Sequence, residues 1–395
     1  MSPPVGGDVT PPLQFIKRGG NMLKIKPEES SAGVKIKVVG VGGAGGNAVS
    51  RMVERLSGVD LVAINTDSQA LFAAAVPIKL QIGRRLTEGL GTGANPEMGK
   101  FAANEDRAQI SELLKGAKVV FLTCGLGGGT GTGAGPVVAK IAKDNGAIVI
   151  GFVTLPFAFE GNLRMDIAHA GLAELRKHLD TLITVSNEKI FEVASPDTSL
   201  ISAFAMVDEI LYQGVASISD LITQPGIMNL DFADLRKIVE DGGDGLMGTG
   251  SAEEGPNRPE EAARMAISNP FLKREELVTA RSVLISIAGG ENLGIFDVRK
   301  VADTIYESLT PQAERFCGTV VDQRLGNTIK VTVIATGLKK VDTAAEKKEK
   351  EREQLPRQPR RREKEDKPEE TSIFATPSSA QDEPAYIRKK RETEI

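Results

Sequence analysis

Two glycine-rich stretches carry the first chemical signal. In the run Gly40-Val41-Gly42-Gly43-Ala44-Gly45-Gly46-Asn47, residues Gly40, Gly42 and Gly45 have the spacing of a dinucleotide-binding loop. Asp67 follows about 20 residues later, where such loops place the carboxylate that holds a ribose. Alone, this pattern favours a nicotinamide or flavin enzyme. The second stretch, Gly125-Leu126-Gly127-Gly128-Gly129-Thr130-Gly131-Thr132-Gly133, changes the balance. Glycine loses more backbone entropy on folding than any other residue, so so dense a run is costly as a mere connector. Its chemical use is close approach of backbone N–H groups to phosphate oxygens, helped by the positive N-terminus of a following helix and by the Thr130 and Thr132 hydroxyls. No Gly-x-x-x-x-Gly-Lys-Ser/Thr motif occurs, so a phosphate would be held by backbone dipoles, hydroxyls and a metal ion rather than by a loop lysine. A third segment, Gly89 to Pro96, offers Gly91, Thr92 and Gly93 as a flap over a terminal phosphate.

The elements around these loops are legible from periodicity. Val34–Val39, Leu61–Ile64, Val119–Leu122 and Ile148–Val153 are short β-branched runs that read as strands. Asn47–Leu56 and Pro136–Asn145 have helical spacing. Alternation of this kind predicts an α/β fold with a Rossmann-like, mostly parallel sheet over residues 34–222. A long central helix, Leu200–Ile222, closes that domain before the break at Pro225-Gly226. A smaller α+β domain is expected over 223–338, with helices Phe232–Glu240 and Glu260–Ser268, a Gly-rich loop between them, and strands Ser282–Ala288, Thr319–Gln323 and Thr328–Ala335.

Both ends differ in composition. Residues 1–33 carry scattered Pro, Gly and charge without a period and read as a disordered extension. The run Lys17-Arg18-Gly19-Gly20-Asn21 has the coding signature of a translated ribosome-binding sequence, which would place initiation at Met22; N-terminal sequencing tests this. From Lys339 to Ala380 charges of both signs alternate without apolar periodicity, predicting a disordered linker (339–380) and a short terminal peptide (381–395).

Composition excludes several classes. The chain has 395 residues and is 41% hydrophobic, enough for a sizeable core. No apolar run approaches the roughly 18 residues of a membrane span and no secretory leader is evident, so a cytoplasmic protein is expected. Two cysteines, Cys124 and Cys317, and two histidines argue against a disulfide framework or a closed zinc site. A net charge of −4 and the absence of Trp argue against nucleic acid as the main partner.

At the second glycine loop a resemblance becomes specific. Residues Gly127–Gly133, reading GGGTGTG, resemble the signature loop of the tubulin–FtsZ family, and three more segments match in order: Asn65-Thr66-Asp67, Pro156–Gly161 and Asn229–Asp234. The likeness covers about Val34 to Gly337 and returns in the terminal peptide. It implies a GTPase that binds GTP or GDP with an associated Mg2+ and no dedicated protein ligands for the metal. Gly43, Ala44, Gly45, Gly46 and Asn47 would contact the nucleotide, and Gly129, Thr130, Gly131 and Thr132 would cradle phosphates. Glu160 would bond the ribose, Arg164 would lie near the phosphate or sugar, and Asn187 would approach the base. Phe204 would stack on guanine, while Asp208 would accept from its N1 and N2 donors, a pair adenine lacks.

The resemblance also implies that Asn229, Asp231 and Asp234 act on the nucleotide of the next subunit in a head-to-tail homopolymer. Asp231 and Asp234 are three apart at a helix start, so both carboxylates can lie on one side. Two anions would repel a triphosphate in their own pocket, but a neighbour could offer them to orient the attacking water. The terminal peptide, with Pro384, Tyr386, Ile387 and Arg388, resembles the segment through which the family binds membrane-anchoring adaptors such as FtsA, at a ring on the inner face of the bacterial membrane at midcell. Direct membrane insertion is not expected. Departures are few: Gly135 where Ala is common, Ser186 where Pro is common, and Asn162-Leu163 where basic residues precede Arg164. Two rival readings account for less of the sequence. A nicotinamide oxidoreductase leaves GGGTGTG unexplained, and a non-assembling nucleotide binder leaves Asp231 and Asp234 unexplained.

Overall fold

A computed structural model describes residues 34–338, apart from 225–227, 229, 241, 254 and 273, together with two short strands, β1 (Lys17–Arg18) and β2 (Asn21–Met22), that pair antiparallel. The Pro225-Gly226 break, the remainder of the N-terminal extension and everything from Lys339 onward, including the linker and terminal peptide, lie outside the described residues.

Apolar strands collect into a ten-stranded sheet. Strands β3 (Ile36–Val41), β4 (Asp60–Asn65), β5 (Ile78–Gln81), β6 (Val119–Gly125), β7 (Ile148–Leu155) and β8 (Thr181–Ser186) lie in the order β5-β4-β3-β6-β7-β8, all parallel. This is the doubly wound order whose direction reverses between β3 and β6, where a crevice opens at the carboxyl ends of the strands. Residues 36–41 of β3 are buried along its whole length, as expected for a parallel strand covered on both faces.

The remaining strands are β9 (Gly243–Ala252), β10 (Ser282–Gly289), β11 (Glu314–Val321) and β12 (Ile329–Thr336), which extend the sheet in the order β9-β12-β10-β11. Strand β9 joins β8 in parallel over Thr181↔Gly243, Leu182↔Asp244 and Ile183↔Gly245, so the two halves share one sheet. Here the structure corrects the expected Gly-rich loop. Gly243–Ala252 is a ten-residue strand. Its glycines reflect a helix pressed onto it: a Cβ on Gly250 would overlap the Ala262 carbonyl, and one on Gly248 that of Ala266, both in α10 (Arg258–Ile267).

The glycine loops also depart from expectation. Helix α1 (Gly42–Ser50) starts inside the first loop and α6 (Thr130–Asp144) inside the second, each several residues earlier than periodicity suggests. Glycine is accepted there because α1 lies almost on the strands: a Cβ on Gly45 would overlap the Thr123 carbonyl oxygen in β6, and one on Gly40 that of Gly45. Helix α8 (Leu200–Thr223) runs between the halves and buries Val207, Leu211, Val215, Ile218 and Leu221 in the core shared with Phe121, Phe152 and Leu284. By length and composition alone α8 is long and apolar enough to cross a membrane, although acidic residues interrupt its apolar run. Its buried stripe and its Asp208, Glu209 and Asp220 mark it as a core helix.

Candidate active site

The switch point between β3 and β6 opens into a cleft of about 560 Å3. Its floor is made by the starts of α1 and α6. Neither helix has a side-chain N-cap or an acidic residue in its first turn, whereas α2 (Ser68–Ala73), α4 (Pro96–Glu105) and α8 are capped by Asp67, Asn95 and Ser199. Two helix N-termini thus present free N–H groups and positive dipole ends to one space, which suits a polyanion.

The glycines divide into two groups by what a side chain would meet. Gly129 is confined by protein: a Cβ there would strike Thr92 Oγ1, and one on Gly131 would come within 2.5 Å of the Gly125 carbonyl oxygen. Gly43 and Gly128 also line the cleft, have no positive φ, and would meet no protein atom within 4 Å. Neither folding nor packing requires glycine at those two positions. Their bare backbone leaves room for a ligand to approach it closely.

Hydroxyls tie the loops together. Thr130 Oγ1 lies 2.7 Å from Thr66 Oγ1 and 3.4 Å from Thr92 Oγ1, linking α6 to the end of β4 and to the third glycine segment. Gly91, Thr92 and Gly93 line the same cleft beside Asp67. Thr132 does not line it; its hydroxyl accepts from Gly127 N at 3.0 Å and braces the loop from behind. Gly45, Gly46 and Asn47 likewise fall outside the cleft lining, while Gly43 and Ala44 are in it.

The other end of the cleft sets an aromatic face beside buried polar groups, an arrangement that suits a flat, polar heterocycle. Phe157, 1% exposed, stacks on Phe159 at 4.8 Å and meets Phe204 edge-on at 5.5 Å, holding Phe204 at the cleft wall. Asn187 is 5% exposed, and its Oδ1 is buried without a hydrogen-bond partner. Such an orphaned acceptor costs about 1–3 kcal/mol unless a ligand donor meets it. Asp208 lies alongside, its side chain 14% exposed and 2.8 Å from Arg51 Nε. Burial pushes the Asp208 carboxyl up to about 6 against the opposing pull of Arg51. Between the two ends, Glu160 accepts from Phe157 N at 2.9 Å and pairs with Arg164.

The acidic pair stands elsewhere. Asp231 caps α9 (Phe232–Val239), its Oδ1 accepting from Asp234 N at 2.7 Å. Helix α8 begins beside the cleft and its 24 residues carry the chain about 36 Å away before α9 starts. Helix α9 then ends with the Val239 carbonyl accepting from Thr181 Oγ1, at the amino end of β8, whereas the cleft lies at the carboxyl ends of the strands. The chain's own cleft is therefore out of reach of Asp231 and Asp234. Asn229 and the peptide residues Pro384, Tyr386, Ile387 and Arg388 lie outside the described residues.

Sequence reading missed Arg51, Thr66 and Thr154 as parts of the site's wall or support. Arg51 gives no local signal because its partner is remote in sequence. Among the described residues no group of three or more His, Cys, Asp or Glu is placed to hold a metal ion.

Residues 35–195 match the Tubulin/FtsZ family, GTPase domain, and 243–339 match the FtsZ family, C-terminal domain. Among solved structures, an empty FtsZ dimer from M. jannaschii is 40% identical, covering 79% of this chain and 93% of that one, with a TM-score of 0.74. CetZ2 from Haloferax volcanii, solved as a GTPγS-bound protofilament, is 23% identical over 81% of this chain and 98% of its own, TM-score 0.66. CetZ1 from the same organism, a GDP-bound monomer, is 22% identical over 78% and 95%, TM-score 0.68. These last two share the fold.

Proposed function

The chain belongs to the FtsZ family of tubulin-like GTPases, and from that premise we propose that it is a self-assembling cytoskeletal GTPase that polymerises head to tail and hydrolyses GTP between subunits. The observation that supports the assembly step is the separation just described: the nucleotide cleft and the acidic pair lie at opposite ends of α8. A second copy stacked on the cleft would deliver Asp231 and Asp234 to the phosphates. Exposed apolar side chains, Leu90 in the cleft lining and Leu163 and Ile201 on the elements that carry its Arg164 and Phe204, at 74–78% exposure, support a protein partner there.

In this reading the triphosphate lies against the N-termini of α1 and α6, with Gly43 and Gly128 leaving room for its oxygens. Guanine sits between Phe204, Asn187 and Asp208; Glu160 and Arg164 hold the sugar. Asp208 accepts from N1–H and N2–H, and adenine, which offers no such pair, is rejected. Asp231 and Asp234 of the next copy orient a water in line with the γ-phosphate and take up its proton as the bond to the β-phosphate oxygen breaks, giving GDP and phosphate. Asn229 would act as a neutral donor. Mg2+ would travel with the nucleotide's phosphates rather than on dedicated protein ligands; Asp67, whose Oδ1 caps α2 and which lines the cleft, is an acid near that position, and the ion would offset the phosphate charge.

The biological setting follows the family: cytoplasmic filaments at the bacterial division site, forming a ring at midcell and recruiting division proteins, with the C-terminal peptide docking on adaptors such as FtsA. Sedimentation with GTP, GDP or ATP tests the core of the proposal. Pelleting with GTP alone, and hydrolysis per protein that rises steeply above a threshold concentration, are expected. Phosphate release strictly proportional to protein down to high dilution would exclude catalysis between subunits.

A further inference from the structure

A second cavity, of about 520 Å3, lies behind the phosphate loop rather than in front of it. Helices α4, α6 and α7 (Asn162–Arg176) enclose it. Its wall is apolar where Pro136, Val137, Ile167 and Ala170 meet, and none of these has a part in the GTPase site. Its rim is charged. Arg107 is paired with Asp144 at 2.9 Å, and Glu174 with Lys177 at 2.5 Å. Lys100 and Lys140 make no ion pair among the described residues, and Glu97 is the remaining acid on the rim. His178 completes it; burial, with Lys140 adding to it, lowers the proton affinity of its imidazole, although Glu174 pulls the other way. The result is an apolar slot with two ammonium groups outside any ion pair at its mouth, of the size and character of a small-molecule site.

We propose that this groove binds a small organic anion with an apolar body, such as an aryl carboxylate, and acts as an effector site on the nucleotide loop. The body would fill the slot while Lys100 and Lys140 take the anionic group. The connection to the loop is direct. Thr132 and Gly133 form part of the groove wall, and the Thr132 hydroxyl holds Gly127 N–H. The packing is tight enough that a Cβ on Gly133 would overlap the Pro96 carbonyl oxygen, one on Gly99 would come within 2.5 Å of the Gly129 carbonyl, and one on Gly171 would overlap the Thr132 methyl. A molecule wedged between α4 and α7 cannot leave these contacts unchanged, because so closely packed an interface transmits displacement. The effector half of the proposal rests on the phosphate-loop reading above; the binding half does not.

The probe is 2-naphthoate, with neutral 2-naphthamide as control, titrated calorimetrically into the full-length GDP-loaded protein. Naphthoate should bind about ten-fold or more tightly than the amide. Lys100→Gln with Lys140→Gln, both exposed, should bring acid and amide to equal affinity, and Ala170→Trp, which fills the slot from an exposed position, should abolish binding of both. Equal affinity of acid and amide for the wild type, or naphthoate binding unaltered by Ala170→Trp, overturns the site. Should Ala170→Trp fail to fold, the lysine pair decides alone. Saturating naphthoate should also change the release rate of a fluorescent GDP analogue by about two-fold or more in the wild type. An unchanged rate with the groove occupied overturns the effector role while leaving the phosphate-loop reading intact; loss of GDP binding by Gly43 or Gly128 variants tests that reading separately.

Discussion

Arg51 Nε lies 2.8 Å from Asp208 Oδ2, so the carboxylate at the Phe204 end of the cleft is held by a guanidinium at the C-terminal end of α1, the helix whose N-terminal end meets the glycine loops. In the proposed binding mode this one helix of nine residues, about 13 Å long, would address both ends of a nucleotide.

That pairing gives a pH prediction. Burial raises the Asp208 carboxyl from 3.8 to about 6. The folded protein then binds a proton that the unfolded chain has released between these values, so ionised Asp208 costs stability above about pH 6 and the cost disappears as pH falls toward 4. Guanine recognition runs the other way, because only the carboxylate accepts both donors. GDP affinity should fall as pH drops through about 6, and Arg51→Met should move that midpoint upward. Calorimetry between pH 7.5 and 5 checks this; a flat profile in the wild type refutes the role of Asp208.

The observed capping role of Asp231 and its proposed role in hydrolysis can be separated by substitution. As N-cap of α9 it is worth about 1 kcal/mol, which Asn retains and Ala loses. Asp231→Asn and Asp234→Ala should keep GTP binding and a near-native melting temperature, yet lower steady-state hydrolysis by about 10² or more. Normal turnover by either pure variant would remove these residues from the reaction.

Gly43→Val and Gly129→Val should fail for different reasons. At Gly43 no protein atom lies near the added side chain, so the melting temperature should stay within about 3 °C while GTP affinity falls ten-fold or more. At Gly129 the new Cβ meets Thr92, so stability itself should drop by about 1–3 kcal/mol. Parallel thermal melts and titrations distinguish the two; full GTP affinity in Gly43→Val would mean that the loop is only a turn.

Deleting Asp382–Ile395 should leave GTP hydrolysis and pelleting nearly intact while abolishing recruitment to vesicles coated with the adaptor. Tyr386 and Ile387 would supply the apolar contact, with Arg388 adding charge. Undiminished vesicle binding by the truncated chain would end the docking role of the peptide.

Strands and the phosphate loops could be read from sequence because each is a local pattern: β-branched runs such as Val119–Leu122, and glycine density that backbone entropy forbids without use. What could not be read depends on distant partners. Arg55 forks onto Glu209 across 154 positions, and Arg51 meets Asp208 in the same manner. Strand β9 was hidden for a related reason. Gly248 and Gly250 look like loop until α10 is seen lying on them, and only tertiary packing explains why a central strand there excludes side chains. Helix starts were placed late because glycine propensity argues against a helix that burial against β3 and β6 stabilises.

The seam between the two halves of the sheet is narrow. Strand β8 meets β9 over three residue pairs, against six with β7, and β9 meets β12 over seven. An ion pair between Arg176 and Asp244 at 2.8 Å and the bond from Gly243 N to the Asp180 carbonyl reinforce it from the same end. Within the sheet, load passing between the halves is therefore carried by a few rungs, with the core around α8 bearing the rest. Amides at Ile183 and Gly245 become the sensitive gauge of that seam: their exchange with solvent reports strain between the halves before either half itself begins to open.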